Sequence, residues 1–156
     1  MTIKEQAEVY RRGLLLSLFN TAEVVAWCDS IVSAEESPDI GIIEASVAGR
    51  RGVNAVANAL VEVEGDCDQS KVIGSLFRTM LNLLNADANQ AALVSNWLHD
   101  MAIEGQVPNE AAQSEMLDMA NFAEYIYLAN EGIYGYLEEA TREMRNFLEK
   151  YATPTT

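Results

Sequence analysis

His99 is the only histidine in the chain, and it is the first side chain to consider as a catalytic group. A hydrolytic dyad or triad would also need a serine or cysteine nucleophile in a recognisable motif, and the sequence has none. Adjacent helical residues point to different faces, so we expect Asp100 not to orient this histidine. A di-iron bundle needs a glutamate three residues before the histidine, where Asn96 stands. We therefore predict no catalytic residues and no enzymatic activity; an enzyme that uses His99 with a carboxylate is a third hypothesis, behind the two given below.

The two cysteines, Cys28 and Cys67, are the only candidate thiols. Asp29 follows the first, and Asp66 and Asp68 flank the second. Neighbouring carboxylates disfavour the thiolate form, so neither cysteine has the surroundings of an activated nucleophile. Two isolated cysteines also form neither a disulfide framework nor a zinc-binding spacing. We expect both to be buried as small apolar side chains.

The segment 62–68, Glu-Val-Glu-Gly-Asp-Cys-Asp, has carboxylates at alternate positions and could attract a divalent cation. The alternation is similar to the start of an EF-hand loop, but the later positions do not fit. Counted from Glu62, Ile73 stands where the closing glutamate should be; counted from Glu64, Ser75 does. The segment is therefore interpreted as a solvated connection between helices, with Asp68 as a helix cap. We predict no metal site and no cofactor.

The 156-residue chain carries 24 acidic and 10 basic residues, which gives a formal net charge of −14. Phosphate backbones and anionic membrane surfaces are bound by lysine and arginine, so we expect neither nucleic acid nor membrane as a partner. A basic protein would be attracted, although acidity can also simply keep a cytosolic protein soluble. The N-terminus lacks an apolar signal core, and the apolar run 13–19 is too short to span a bilayer. We expect a cytoplasmic protein.

Apolar residues recur at helical spacing along the whole chain, and no segment alternates for long enough to be a strand. The pattern predicts helices at about residues 3–18, 21–33, 38–47, 51–63, 70–84, 89–101, 109–130 and 134–151. Short connections favour antiparallel neighbours. The predicted fold is all-α, a single-domain helical bundle of about seven to eight helices over residues 1–152. Residues 153–156 are predicted to form a disordered tail.

The longest stretch without lysine or arginine, Thr79–Thr141, also holds ten acidic residues and most of the tyrosines. Unneutralised like charges destabilise a fold, and a basic partner is one reason to keep them. Helical spacing cannot direct five aromatic residues within 122–136 into one core. Tyrosine is common at binding hot spots, but these rings could equally fill the joint between the last two helices. The candidate partner-binding residues are Asp118, Phe122, Glu124, Tyr125, Glu131, Tyr134, Tyr136, Glu138 and Glu139.

Four phrases of the sequence occur in a familiar order: VAWCDSI at 25–31, PDI leading to IEAS at 38–46, EGQVP at 104–108 and LANEGIYG at 128–135. An acidic amphipathic helix ending at Phe147-Leu148 follows them. This order resembles small helical immunity proteins of bacterial contact-dependent growth-inhibition systems. The resemblance implies a stoichiometric inhibitor that binds a cognate toxin domain, often a basic nuclease, in the cytoplasm. The alternative function is a non-inhibitory interaction module or a homodimeric regulator. The sequence leaves the oligomeric state of the protein open.

Overall fold

The structure, a computed structural model, describes residues 1–154. Over this range the chain forms eight α-helices and no β-strand, which confirms the predicted all-α bundle of seven to eight helices. Short 3₁₀ turns at Gly49–Arg51 and Ala88–Gln90 precede two of the helices. The helices are α1 (Ile3–Leu15), α2 (Thr21–Ala34), α3 (Ile40–Val47), α4 (Val53–Val61), α5 (Gln69–Ala86), α6 (Ala91–Ile103), α7 (Gln113–Asn130) and α8 (Leu137–Tyr151). Within the described range, no helix combines the length and the apolar character needed to cross a membrane.

The chain divides into two compact units, Met1–Val72 and Ile73–Thr156. The boundary falls inside α5, whose first residues belong to the first unit and whose remainder belongs to the second. The domain bounds expected from the sequence, residues 1–152, stay a prediction.

The first unit packs α1 against α4, and α3 against both α2 and α4. Its buried core is built from small and branched side chains, which include Ala7, Leu14, Val24, Cys28, Ile42, Ala45, Val56 and Leu60. Gly41 allows α3 to approach α4 closely: a Cβ at this position would lie 2.8 Å from the carbonyl oxygen of Ala59 and 2.9 Å from the nitrogen of Val63. Both atoms are backbone and cannot move aside, so a side chain at Gly41 would separate the two helices.

Glu5 on α1 holds the acidic connection that follows α4. The Glu5 carboxylate accepts hydrogen bonds from the backbone N–H groups of Thr2 (3.0 Å) and Asp68 (3.2 Å). The bond from Thr2 is the main reason that the pKa of Glu5 lies below its usual value. Asp68 in turn accepts from the N–H of Ser70 at 3.0 Å and caps α5, as predicted. The segment 62–68 is therefore a helix connection, with all its Glu and Asp side chains exposed.

Glu8 is the centre of the only buried charge cluster among the described residues, and its side chain is 9 % exposed. Its carboxylate accepts from Arg11 at 2.9 and 2.8 Å and from Arg12 at 3.2 Å, and Lys4 lies 3.6 Å away. Desolvation acts to raise the pKa of Glu8. The hydrogen bond and the charge of Arg11, together with the charges of Arg12 and Lys4, outweigh it, so the pKa is lowered.

We expect Glu8→Gln to destabilise the protein by about 1–2 kcal/mol near neutral pH, because three cations lose their counter-charge. A lowered folded-state pKa stabilises the fold above the unfolded pKa, and this stabilisation is lost as pH falls through the folded-state pKa. The difference in urea midpoint between the wild type and Glu8→Gln should therefore shrink as pH falls below 4.5, the ordinary value. Glu44→Gln, an exposed change of the same type on α3, is the control. A difference that stays constant down to about pH 3 would contradict this account.

The second unit packs α7 against α6 and α8. A row of aromatic rings forms the centre of its core: the Phe147 centroid lies 5.5 Å from Phe77 and 5.7 Å from Phe122. A polar clasp joins the start of α7 to the end of α8. In this clasp the Glu115 carboxylate accepts from Lys150 (3.0 Å) and from the hydroxyl of Tyr151 (2.8 Å). These two hydrogen bonds lower the pKa of Glu115. The clasp fixes the antiparallel pair that carries the candidate site.

Three predicted helix boundaries, one C-terminal end and two starts, are wrong by a few residues. The first helix ends at Leu15 rather than about residue 18, because Ser17 takes a positive φ of 64° and the chain turns back. The seventh begins at Gln113 rather than about residue 109, after a turn over Asn109–Glu110. The last begins at Leu137 rather than Tyr134, because Gly135 interrupts it with φ of 77°.

Thr153 is the first residue of the predicted disordered tail, and it is hydrogen-bonded to α5. Its N–H donates to the carbonyl of Gly74 at 3.0 Å, and Arg78 donates to its carbonyl oxygen at 2.7 Å. The expectation of disorder is therefore wrong at this residue, because the sequence gives no sign of these backbone contacts. Residues 155–156 of the predicted tail lie outside the described residues.

Candidate partner-binding site

The junction between α7 and α8 is the most exposed stretch of the second unit. Every residue from Asn130 to Glu139 is exposed. The carbonyl of Leu128 accepts from the N–H groups of Ile133 (2.9 Å) and Tyr134 (3.3 Å), which closes the end of α7. Gly135 then takes a left-handed conformation that an L side chain adopts only with strain. The turn therefore has a fixed backbone path even though its side chains face solvent.

The first residues of α8 present one polar and aromatic face. Tyr136, Glu139, Ala140 and Glu143 are spaced at i, i+3, i+4 and i+7, so they lie on the same side of the helix. Tyr125 of α7 faces them. With Tyr134 and Gly135 of the turn, these residues line an open groove of about 450 Å³, here called the tyrosine groove.

The three tyrosine rings of the groove differ in how firmly they are held. Tyr125 is 37 % exposed and packs edge-on against the buried Phe122 ring, with centroids 6.3 Å apart. Tyr134 and Tyr136 are 77 % and 78 % exposed. They offer large apolar areas to solvent at a place where the core gains nothing from them. One anchored ring and two exposed rings match the chemistry of a binding surface more closely than that of a filled joint.

The charges at the tyrosine groove are negative. Glu139 and Glu143 line it, and no lysine or arginine does. Arg142 lies next to Glu143 on α8, outside the lining, and makes no salt bridge with any described residue. Within Thr79–Thr141, the stretch without lysine or arginine, Glu115 does have a basic partner. This partner is Lys150, which lies outside the stretch and 35 residues away in sequence. The sequence could not show this pair, because α7 and α8 bring it together only in the folded chain.

Four of the nine residues predicted to bind a partner lie together in the tyrosine groove: Tyr125, Tyr134, Tyr136 and Glu139. Four others are exposed on the same two helices and their turn but do not line it: Asp118, Glu124, Glu131 and Glu138. The ninth, Phe122, does not present its ring to a partner. It is 3 % exposed, because its position on α7 points it toward Phe147 in the core.

Sequence reasoning missed three lining residues, Gly135, Ala140 and Glu143. A signal for two of them was present, because Ala140 and Glu143 follow Tyr136 at i+4 and i+7 on one helix face. That signal requires the start of α8 to be known. Gly135 carries no side-chain signal at all, and its role becomes visible only from its positive φ.

The other candidate chemical groups do not assemble into a site among the described residues. His99 and Asp100 do approach each other, with Nδ1 and Oδ1 3.3 Å apart, contrary to the expectation for adjacent helical residues. Both are substantially exposed at 43 % and 61 % of the side chain, and no nucleophile joins them. No group of three or more His, Cys, Asp or Glu side chains in residues 1–154 is arranged to hold a metal ion. Burial raises the pKa of Cys28 to about 11, which disfavours its thiolate at neutral pH. Cys28 is buried as predicted, but Cys67 is only half-buried, so the expectation of burial is wrong for the second cysteine.

Comparison with known proteins gives no relative for this chain: no family model, no curated protein and no solved structure matches it. The tyrosine groove is therefore interpreted from its own geometry and chemistry.

Proposed function

We propose that this protein is an immunity protein, which binds a cognate basic toxin domain of the contact-dependent growth-inhibition type and neutralises it. The observation that carries the proposal is the tyrosine groove, in which exposed tyrosines and unpaired carboxylates meet on one concave surface. The resemblance of the four sequence phrases to immunity proteins supports the inhibitory role. We also propose that the protein acts in the cytoplasm and is not an enzyme.

The groove supplies the two kinds of contact that a tight complex needs. Tyr134 and Tyr136 offer rigid, partly apolar area that costs little conformational entropy to immobilise. Glu131, Glu138 and Glu139 place negative charge around that area. Such a field speeds the encounter with a basic protein and weakens as salt screens it. The tyrosines then account for slow dissociation, and the carboxylates for fast association.

Co-expression with the product of the adjacent gene tests the proposal. An affinity-tagged form of this protein should retain that product in stoichiometric amount. It should also protect cells in which the product is toxic. The complex should form more slowly as ionic strength rises from about 50 to 500 mM, because screening shortens the range of the attraction. Absence of both binding and protection would contradict the proposed function.

A second candidate function, a non-inhibitory adaptor or homodimeric regulator, is favoured by a different surface. On α3 the side chains of Ile40, Ile43 and Val47 are 68 %, 41 % and 70 % exposed. Their spacing of i, i+3 and i+7 places them in one apolar stripe. Mass measurement in solution separates the two functions, because a stable homodimer that loses its stability on Val47→Asp would favour the regulator.

A further inference from the structure

The chemistry of the tyrosine groove allows its ligand to be narrowed to one side chain. Tyr125, Tyr134 and Tyr136 supply aromatic faces, and Glu139 and Glu143 supply carboxylates in the same 450 Å³. Aromatic faces attract cations through the ring quadrupole, and carboxylates attract them directly. Gly135 and Ala140, the remaining lining residues, have no side chain that would obstruct entry. A neutral apolar ligand would leave both carboxylates without a partner.

We propose that the tyrosine groove binds an arginine side chain of a protein partner. In this arrangement the guanidinium plane lies against the tyrosine rings, and its N–H groups donate to Glu139 and Glu143. Arginine fits better than lysine because its planar group stacks on rings and donates to two carboxylates at once. The inference rests on the proposed function, since a basic toxin domain is the source of the arginine.

The charges around the groove agree with a cationic occupant. Among the described residues the groove carries its two glutamates without any lysine or arginine in the lining. The nearest basic residue in sequence, Arg142, is exposed and does not line the groove. Glu115, the carboxylate of Thr79–Thr141 that does pair with a lysine, lies at the clasp and is not part of the groove. Among the described residues, the groove carboxylates Glu139 and Glu143 thus have no basic partner, whereas the clasp carboxylate Glu115 has one.

A blocked tetrapeptide, Gly-Arg-Arg-Gly, is the probe, and its citrulline and lysine counterparts are the matched controls. Titration into ¹⁵N-labelled full-length protein should shift the amide signals of Tyr125 and residues 134–143. Citrulline has the same shape without the charge, so it should shift them little. Glu139→Gln should weaken arginine-peptide binding about three- to fivefold, as expected for one exposed cation contact. Glu149→Gln, an exposed change of the same type on α8 but outside the groove, should leave it unchanged.

Three results would overturn the arginine assignment: equal shifts with the citrulline peptide, equal affinity for the lysine peptide, or equal weakening by Glu139→Gln and Glu149→Gln. Both substituted side chains are exposed and make no hydrogen bond with another described residue, so neither change should unfold the protein. Failure here and failure of the proposed function are distinguishable. A toxin complex without an arginine response would remove only the arginine assignment. An arginine response without a toxin complex would remove the immunity function and leave the groove's ligand class standing.

Discussion

The double variant Tyr134→Ala, Glu139→Lys should bind the basic partner about 100-fold more weakly than the wild type, while its stability falls by no more than about 1 kcal/mol, the size of the charge effect in the first turn of α8. Tyr134 is 77 % exposed and makes no packing contact on which the core depends. Removing a tyrosine at the centre of a binding surface typically costs about 2 kcal/mol, or about 30-fold in affinity. Reversing the charge of Glu139 adds repulsion where the partner brings a cation.

The matched control for this variant is Tyr127→Ala, Glu124→Lys. It removes a tyrosine from α7 and reverses one charge there, but both positions are outside the groove. Tyr127 is 59 % exposed, so the control should also fold normally. Calorimetry at two salt concentrations should show that the control loses no more than about threefold in affinity for the partner. We expect this small loss because a weaker negative field slows association. Equal losses of affinity in the two variants would mean that the acidic stretch Thr79–Thr141 as a whole binds the partner, rather than the tyrosine groove.

Phe122→Ala should destabilise the protein by about 3–5 kcal/mol, the usual cost of removing a buried phenylalanine. Its ring is 3 % exposed and stands between Tyr125 and Phe147, at 6.3 and 5.7 Å between centroids. Phe122→Leu, which keeps most of the volume, should cost less than about 1.5 kcal/mol. Urea unfolding followed by circular dichroism measures both changes.

Comparison of Phe122→Ala with Tyr134→Ala decides whether the two aromatic residues have different roles. Both were predicted from the sequence to contact a partner, but only the phenylalanine lies in the core. A loss of under about 0.5 kcal/mol for Phe122→Ala would mean that its ring is at the surface. The stability of the second unit would then have to rest on other residues.

The eight helices could be predicted from the sequence because their signals are local. The apolar stripe of α5, from Val72 to Leu84, and the Asp68 cap each depend on residues within a few turns. The ends were less predictable where a single backbone conformation decides them. Gly135 moves the start of α8 by three residues, although the apolar spacing of Tyr134 and Leu137 favours an earlier start.

The candidate site could be predicted only in part, because its residues come from two helices and a turn. The aromatic and acidic composition of the segment identified Tyr125, Tyr134, Tyr136 and Glu139. Which aromatic residue points inward depends on how α7 packs against α8, so the sequence could not separate the buried Phe122 from the exposed tyrosines. The Glu115–Lys150 pair joins residues 35 positions apart and is likewise a property of the packed helices.

Hydrogen exchange of this protein, alone and with the product of the adjacent gene, tests the central claim most directly. Exposed amides of the turn and of the first residues of α8 should exchange quickly in the free protein. On binding, we predict protection of Tyr125 and of residues 134–143, with little change in the exposed stripe of α3. Protection confined to α3, or a binding partner that leaves residues 134–143 unprotected, would contradict the assignment of the tyrosine groove as the partner-binding site.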